Sequence, residues 1–256
     1  MASGTLTDKS ARRRRVPRDP MRKASLWAGW MYIITFISIP TLALYGPVKE
    51  SGFIAGSGPD TGVLVGGILE LIVGLAGIGT AVALFPVVKR QNESLAVGFV
   101  GTRVLEAAMI FAGVASLWTI VTLRQAGAGA DAILLGDALA AFYDRAFLVG
   151  QSLMPVMNAL LLGTLMFQSR LVPRWLPTLG VIGATVLISY NAALLFGLSG
   201  QALALFGGLG VIPIATWEFG LGVYLVVKGF RPSAVATMDT VPRVPGTPWP
   251  GRFAAH

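Results

Sequence analysis

The chain has no cysteine and one histidine, the C-terminal His256. Without cysteine there are no disulfides, no thiolate metal sites, no Fe–S ligation and no thiol catalysis. A single terminal histidine excludes a multi-histidine metal or haem site, the zinc hydrolases and a Ser-His-Asp triad. Charge is scarce as well. Only 12% of the 256 residues are charged, where a soluble domain carries roughly 25%. No phosphate-cradling glycine loop stands in a soluble context, so neither a cofactor nor a metal is expected.

What fills the chain instead is apolar. Hydrophobic residues make up 54% of it, and the mean hydropathy is +0.71. Too few polar side chains remain to cover a soluble fold of this size. The composition therefore predicts an all-α integral membrane protein. A hydrocarbon layer of about 30 Å needs roughly 20 apolar residues as helix. Six stretches qualify, at 24–44, 62–85, 95–123, 142–167, 175–198 and 204–227. They are continuously apolar, without the short alternating pattern of a β-barrel. Their internal glycines, such as Gly66, Gly67, Gly74 and Gly77 in the second run, allow close helix approach.

Basic residues set the expected orientation. The net charge of +8 gathers at Lys9, Arg12 to Arg15, Arg18, Arg22 and Lys23, then at Lys89 and Arg90, Arg170 and Arg174, and Lys228 and Arg231. The opposite loops hold only Lys49 and Arg124, with Arg145 at the mouth of the fourth run. Six crossings with both termini cytoplasmic satisfy this alternation, in a multi-pass protein of the cell membrane. The first run is expected to be retained, because no small-residue cleavage site follows it.

Residues 1–23 form a polar basic tail and 231–256 a proline-rich one. Both are expected to lack structure, flanking a transmembrane domain at 24–230. The four-arginine run reads as a topology anchor and, more sharply, as a binder of anionic lipid headgroups. The basic residues lie in tails and loops, so no nucleic-acid face is expected. Residues 127–141 suit a short interfacial helix or an extension of the fourth crossing. Trp27, Trp30, Trp175 and Tyr45 lie near the ends of apolar runs, where an aromatic belt explains them.

Ionisable residues inside a membrane are expensive and point to function. Six qualify: Glu70, Arg103, Glu106, Asp144, Arg145 and Glu218. Counting a 1.5 Å rise per residue from the ends of the runs puts Glu70 about 12 Å in from one side and Glu106 about 16 Å in from the other, near one level. Arg103 shares a helix face with Glu106 at i, i+3, and Glu218 falls at a similar depth. The expectation is a ligand or ion cluster of Arg103, Glu106, Glu218 and Glu70, with an excess of carboxylate. Asn158 and Asn191 add polar groups, and Asp144 and Arg145 lie near the outer mouth. The bland alternative is that the cluster only locks helix packing.

Several segments resemble a family of bacterial membrane proteins catalogued as domain of unknown function 4386. They are LFPVVKRQN at 84–92, the stretch from Ala96 to Glu106 with RVLE at its end, FLVG at 147–150, SRLVPR at 169–174, PIATWEF at 213–219 and VKGFRP at 227–232. The resemblance implies a six-span helical protein over about residues 24–232 and implies no activity. Three functions stay open. The first is a small-solute transporter or small-ligand-binding membrane protein, working alone or as a homo-oligomer. The second is a membrane-embedded enzyme acting on a lipid or lipid-soluble substrate, less favoured without histidine, cysteine or a metal cluster. The third is a structural or regulatory partner of another membrane protein.

Overall fold

The computed structural model describes residues 20–240, and every regular element among them is helical. The elements are α1 (Pro20–Ile34), α2 (Thr41–Leu44), α3 (Thr61–Val88), α4 (Glu93–Gln125), α5 (Ile133–Phe147), α6 (Met154–Ser169), α7 (Trp175–Leu195), α8 (Gln201–Val227) and α9 (Pro232–Thr240). Five helical stretches are long and apolar enough to cross a membrane, namely α3, α4, Ala130–Ser169, α7 and α8. The chain is thus a multi-pass helical membrane protein.

The remaining apolar run, 24–44, is not one helix. Helix α1 stops at Ile34, a 3-10 turn covers Thr35–Ser38, and α2 follows Pro40. Pro40 has no N–H to give, and its ring crowds the carbonyl four residues back, at Phe36. That carbonyl is taken instead by the Ile39 N–H in an i to i+3 bond. The broken segment still runs the length of α3: Met31 lies on Gly79, Tyr45 on Gly66, and the Leu44 carbonyl on Gly62.

Short connections and small-on-large contacts place neighbours antiparallel. Gly67 receives the Trp118 ring and Gly74 the Phe111 ring, which fixes α3 against α4. Gly113 meets Tyr143 of α5, Gly163 faces Pro177 and Val181 of α7, and Gly180 and Gly183 face Trp217 and Ile214 of α8. Helix α8 then returns to α1, where the Gly222 carbonyl approaches Gly29 so closely that an added Cβ would stand 2.7 Å away. The packing order α1, α3, α4, α6, α7, α8 and back to α1 closes a ring.

One end of this ring carries Arg22, the α3–α4 turn with Lys89 and Arg90, Arg170, Arg174 and Lys228, and is called the basic end below. The other, the loop end, carries Lys49, Asp60, Arg124 and Asp131. A core of Leu84, Val88, Phe99, Leu162, Met166, Leu171, Trp217 and Leu225 fills the basic half. A second core of Tyr45, Ile54, Val63, Leu117, Val121 and Tyr143 fills the loop end.

Two expectations about the flanks change, and one that was left open is decided. Residues 20–23 belong to α1, and Arg22 donates to the carbonyls of Leu225 and Val226 at 3.1 and 2.7 Å, capping the last turn of α8. Residues 232–240, expected to lack structure, form α9. The Arg231 N–H bonds the Leu171 carbonyl, and Phe230 and Ala234 are buried, so this segment has enough apolar contact to order it. The rest of both tails, with the four-arginine run, lies outside the described residues. The stretch 127–141 leads into the helical stretch Ala130–Ser169 and so extends the fourth apolar run. A 3-10 turn at Ala130–Ala132 leads into α5, which continues through a π-helical segment, Leu148–Leu153, into α6. Pro155 explains the π segment, since its ring would strike the Gln151 carbonyl in an α-helix.

Candidate functional site

The apolar face of α4 is interrupted at Arg103 and Glu106, about 15 Å along the helix from Glu93. Arg103 is 2% exposed. Its guanidinium donates to Glu106 Oε2 at 3.0 Å, to Glu218 Oε1 of α8 at 2.7 Å and to the Tyr32 hydroxyl of α1 at 3.2 Å. Asn158 of α6 donates through Nδ2 to the same Glu106 oxygen at 2.7 Å, and its Oδ1 accepts from the Thr102 hydroxyl at 2.5 Å. Four elements of the ring therefore meet around one cation. The 2.7 Å bond from Arg103 to Glu218 has the length of a charge-assisted pair.

The network is not closed. Arg103 Nε is buried with no partner. Glu106 Oε1 and Glu218 Oε2 accept no hydrogen bond among the described residues, and the two acidic side chains retain 11% and 14% exposure. One guanidinium faces two carboxylates, so the centre carries an unmatched acid and two oxygens open to a further donor.

Glu70 is not part of this centre, contrary to the depth expected for it. The Gly67–Trp118 and Gly74–Phe111 contacts place Glu70 opposite Ala115, nine residues or about 13 Å along α4 from Glu106. Depths counted from the ends of apolar runs assumed equal layers. The interlock of small and large side chains sets a different register for helices of 28 and 33 residues. Glu70 instead accepts from the Tyr143 hydroxyl at 2.9 Å, Gln151 Nε2 at 3.0 Å and the Tyr45 hydroxyl at 3.4 Å. Tyr45, placed by its sequence position in an aromatic belt, is buried and turned inward. Trp27, Trp30 and Trp175 are exposed, as a belt requires.

The remaining polar residues scatter. Asn191 accepts from Ser152 at 2.7 Å and leaves its Nδ2 buried without a partner. Asp144 pairs with Lys49 at 2.7 Å at the loop end, and Arg145 is exposed there. Among the described residues no three of His, Cys, Asp and Glu come together to hold a metal ion. Sequence reading passed over Tyr32, Thr102, Tyr143, Gln151 and Ser152. The signal available for them was weak: each is an uncharged polar residue within an apolar run.

A closed ring of long apolar helices with Glu70, Arg103 and Glu106 buried inside it defines a polytopic helical membrane protein with a polar interior. The chain belongs to the family described as a domain of unknown function (DUF4386), whose profile matches residues 27–229. Arg103, Glu106, Asn158 and Glu218 all fall within the matched region. No curated protein and no solved structure matches the chain.

Proposed function

We propose that the protein binds, and carries across the cell membrane, a small solute with a cationic group, at the centre formed by Arg103, Glu106 and Glu218. The observation that carries this reading is the pair of open oxygens, Glu106 Oε1 and Glu218 Oε2, beside an arginine that satisfies only one charge of the two acids. Ionisable groups are retained inside membranes mainly where they serve a pathway or a ligand. A cationic donor entering between the two acids would complete the charge balance. Asn158 and Tyr32 position Glu106 and Arg103, respectively, from neighbouring helices.

In this reading the broken segment 20–45 is the sixth crossing, supported by its run along the whole of α3. Both termini then lie with the basic end in the cytoplasm, as the distribution of Lys and Arg favours. The four-arginine run contacts anionic headgroups. Six crossings are few for a transporter, which favours a homo-oligomer.

The test is thermal unfolding of the purified protein in lipid nanodiscs with methylammonium, guanidinium or choline chloride, against sodium chloride at equal ionic strength. A ligand that binds only the folded state raises the midpoint. At least one cation is expected to do so for the wild type and not for Glu106→Gln or Glu218→Gln. Equal midpoints in all salts would leave the second reading, a packing lock. That reading has its own support in the near-complete burial of Arg103 and its bonds to α1 and α8.

A further inference from the structure

A second buried acid lies outside the Arg103 centre. We propose that Glu70 is a proton-exchange site, reached from the loop end past Tyr143 and independent of the solute site. Glu70 is 1% exposed and sits at the tenth position of α3, roughly 13 Å along the helix from Thr61. Its hydrogen-bond partners are neutral: two phenols, Tyr45 and Tyr143, and the Gln151 amide. Helix α4, which packs beside it, has no charged residue between Glu106 and Arg124, and Arg124 is held at the loop end by Asp60 at 2.9 Å.

On the loop-end side of Tyr143 the charged groups are Lys49 and Asp144. They pair with each other at 2.7 Å in partly exposed positions. The Lys49 ammonium stands 4.7 Å from the centre of the Tyr143 ring, whose hydroxyl touches Glu70. One aromatic ring therefore separates the buried carboxyl from a solvated ion pair. An unpaired carboxylate held away from water is strongly disfavoured, and binding a proton removes its charge.

The two oxygens differ in a way that suits a proton. Oε1 accepts from both Tyr143 and Gln151, at 2.9 and 3.0 Å, while Oε2 has only the long 3.4 Å contact with the Tyr45 hydroxyl. A proton on Oε2 can be donated to the Tyr45 oxygen, leaving both donors on Oε1 undisturbed. Gln151 cannot exchange roles in this way, because its amide nitrogen only donates. Gln151 also belongs to the π segment, an irregular stretch of the ring wall. Gly150, next to it, packs against Met109 and the Glu106 carbonyl. The proton site and the solute centre thus share one wall element without sharing a ligand.

The experiment is pH-difference infrared spectroscopy on the full chain in proteoliposomes, read at the C=O stretch of a protonated carboxyl. The wild type is expected to show such a band that disappears reversibly as the pH rises from mildly acidic to alkaline, and Glu70→Gln is expected to lack it. Tyr143→Phe removes one hydrogen bond from Oε1 and is expected to keep the band but shift its frequency upward. That variant assigns the band to Glu70 even if Glu70→Gln does not fold. In oriented vesicles, a pH jump on the loop-end side should change the band at once. A jump on the basic-end side should change it only after a protonophore is added. A titrating band that survives in folded Glu70→Gln and is unmoved by Tyr143→Phe would overturn the proposal, as would the absence of any such band. A prompt response from the basic-end side would overturn the route. Cation binding at Glu106 and Glu218 is read by separate midpoints, so either site can fail without the other.

Discussion

Arg103 and Glu218 lie 115 residues apart in the chain and 2.7 Å apart in the fold. Their ion pair bridges α4 and α8 across the interior of the ring. Removing the arginine leaves two acids without a counter-charge. Arg103→Ala is expected to lower stability by about 3–5 kcal/mol, the range for breaking a buried pair. Arg103→Lys keeps the charge but loses the planar fork whose two nitrogens reach Glu106, Glu218 and Tyr32, so it should fall between. Unfolding in detergent measures both. A double-mutant cycle of Arg103→Ala with Glu218→Gln and then with Glu106→Gln separates the two partners.

Gly29 and Gly222 test the ring closure. An alanine at Gly29 would bring its Cβ to 2.7 Å from the Gly222 carbonyl and 2.9 Å from the Val226 nitrogen, both backbone atoms. The helices must separate to admit it. Gly29→Ala is expected to destabilise by about 1–3 kcal/mol, the usual range for overpacking. Gly101→Ala, where an added Cβ meets nothing within 4 Å, should be neutral or slightly stabilising. Equal melting points for the two variants would contradict the close α1–α8 contact.

The contrast between those two glycines shows what the sequence can reveal. Apolar length made the long helices legible, because periodicity hardly matters where a helix is apolar all round. The pairing of Arg103 with Glu106 was legible too, since i, i+3 spacing is a local property of one helix. The level of Glu70 was not. It depends on which glycine receives which ring, Gly67 for Trp118 and Gly74 for Phe111, and no rule of spacing within a single helix encodes that choice. The break at Pro40 and the order of Pro232–Thr240 were missed as well. The order of Pro232–Thr240 depends on a tertiary contact with Leu171 that outweighs local composition, whereas the break at Pro40 is a local effect of the proline hidden within a continuously apolar run.

Arg124 fastens the loop end. It bonds Asp60 and the carbonyls of Gly56 and Gly58 and lies 4.4 Å from the centre of the Phe53 ring. Arg124→Ala is expected to free the segment from Gly56 to Asp60 without unfolding the ring. Hydrogen exchange should quicken there by tenfold or more if about 1.4 kcal/mol of local stability is lost, and stay unchanged in α8. Uniform acceleration would show that Arg124 supports more than the loop.

The absence of native cysteine makes the topology directly testable. Single cysteines at Lys89 and Arg174 are expected to react with an impermeant maleimide only after the membrane is permeabilised. Single cysteines at Asp60 and Asp131 should react in intact cells. Labelling of Lys89→Cys and Asp131→Cys from the same side would contradict the antiparallel course of α3 and α4.

The most direct test of the solute site is an experimental structure in lipid nanodiscs at a resolution that shows ordered water. Non-protein density, either water or a bound cation, is expected within hydrogen-bonding distance of Glu106 Oε1 and Glu218 Oε2, with Arg103 still bonded to both acids. Finding those two oxygens against lipid tails, with no density beside them, would contradict it.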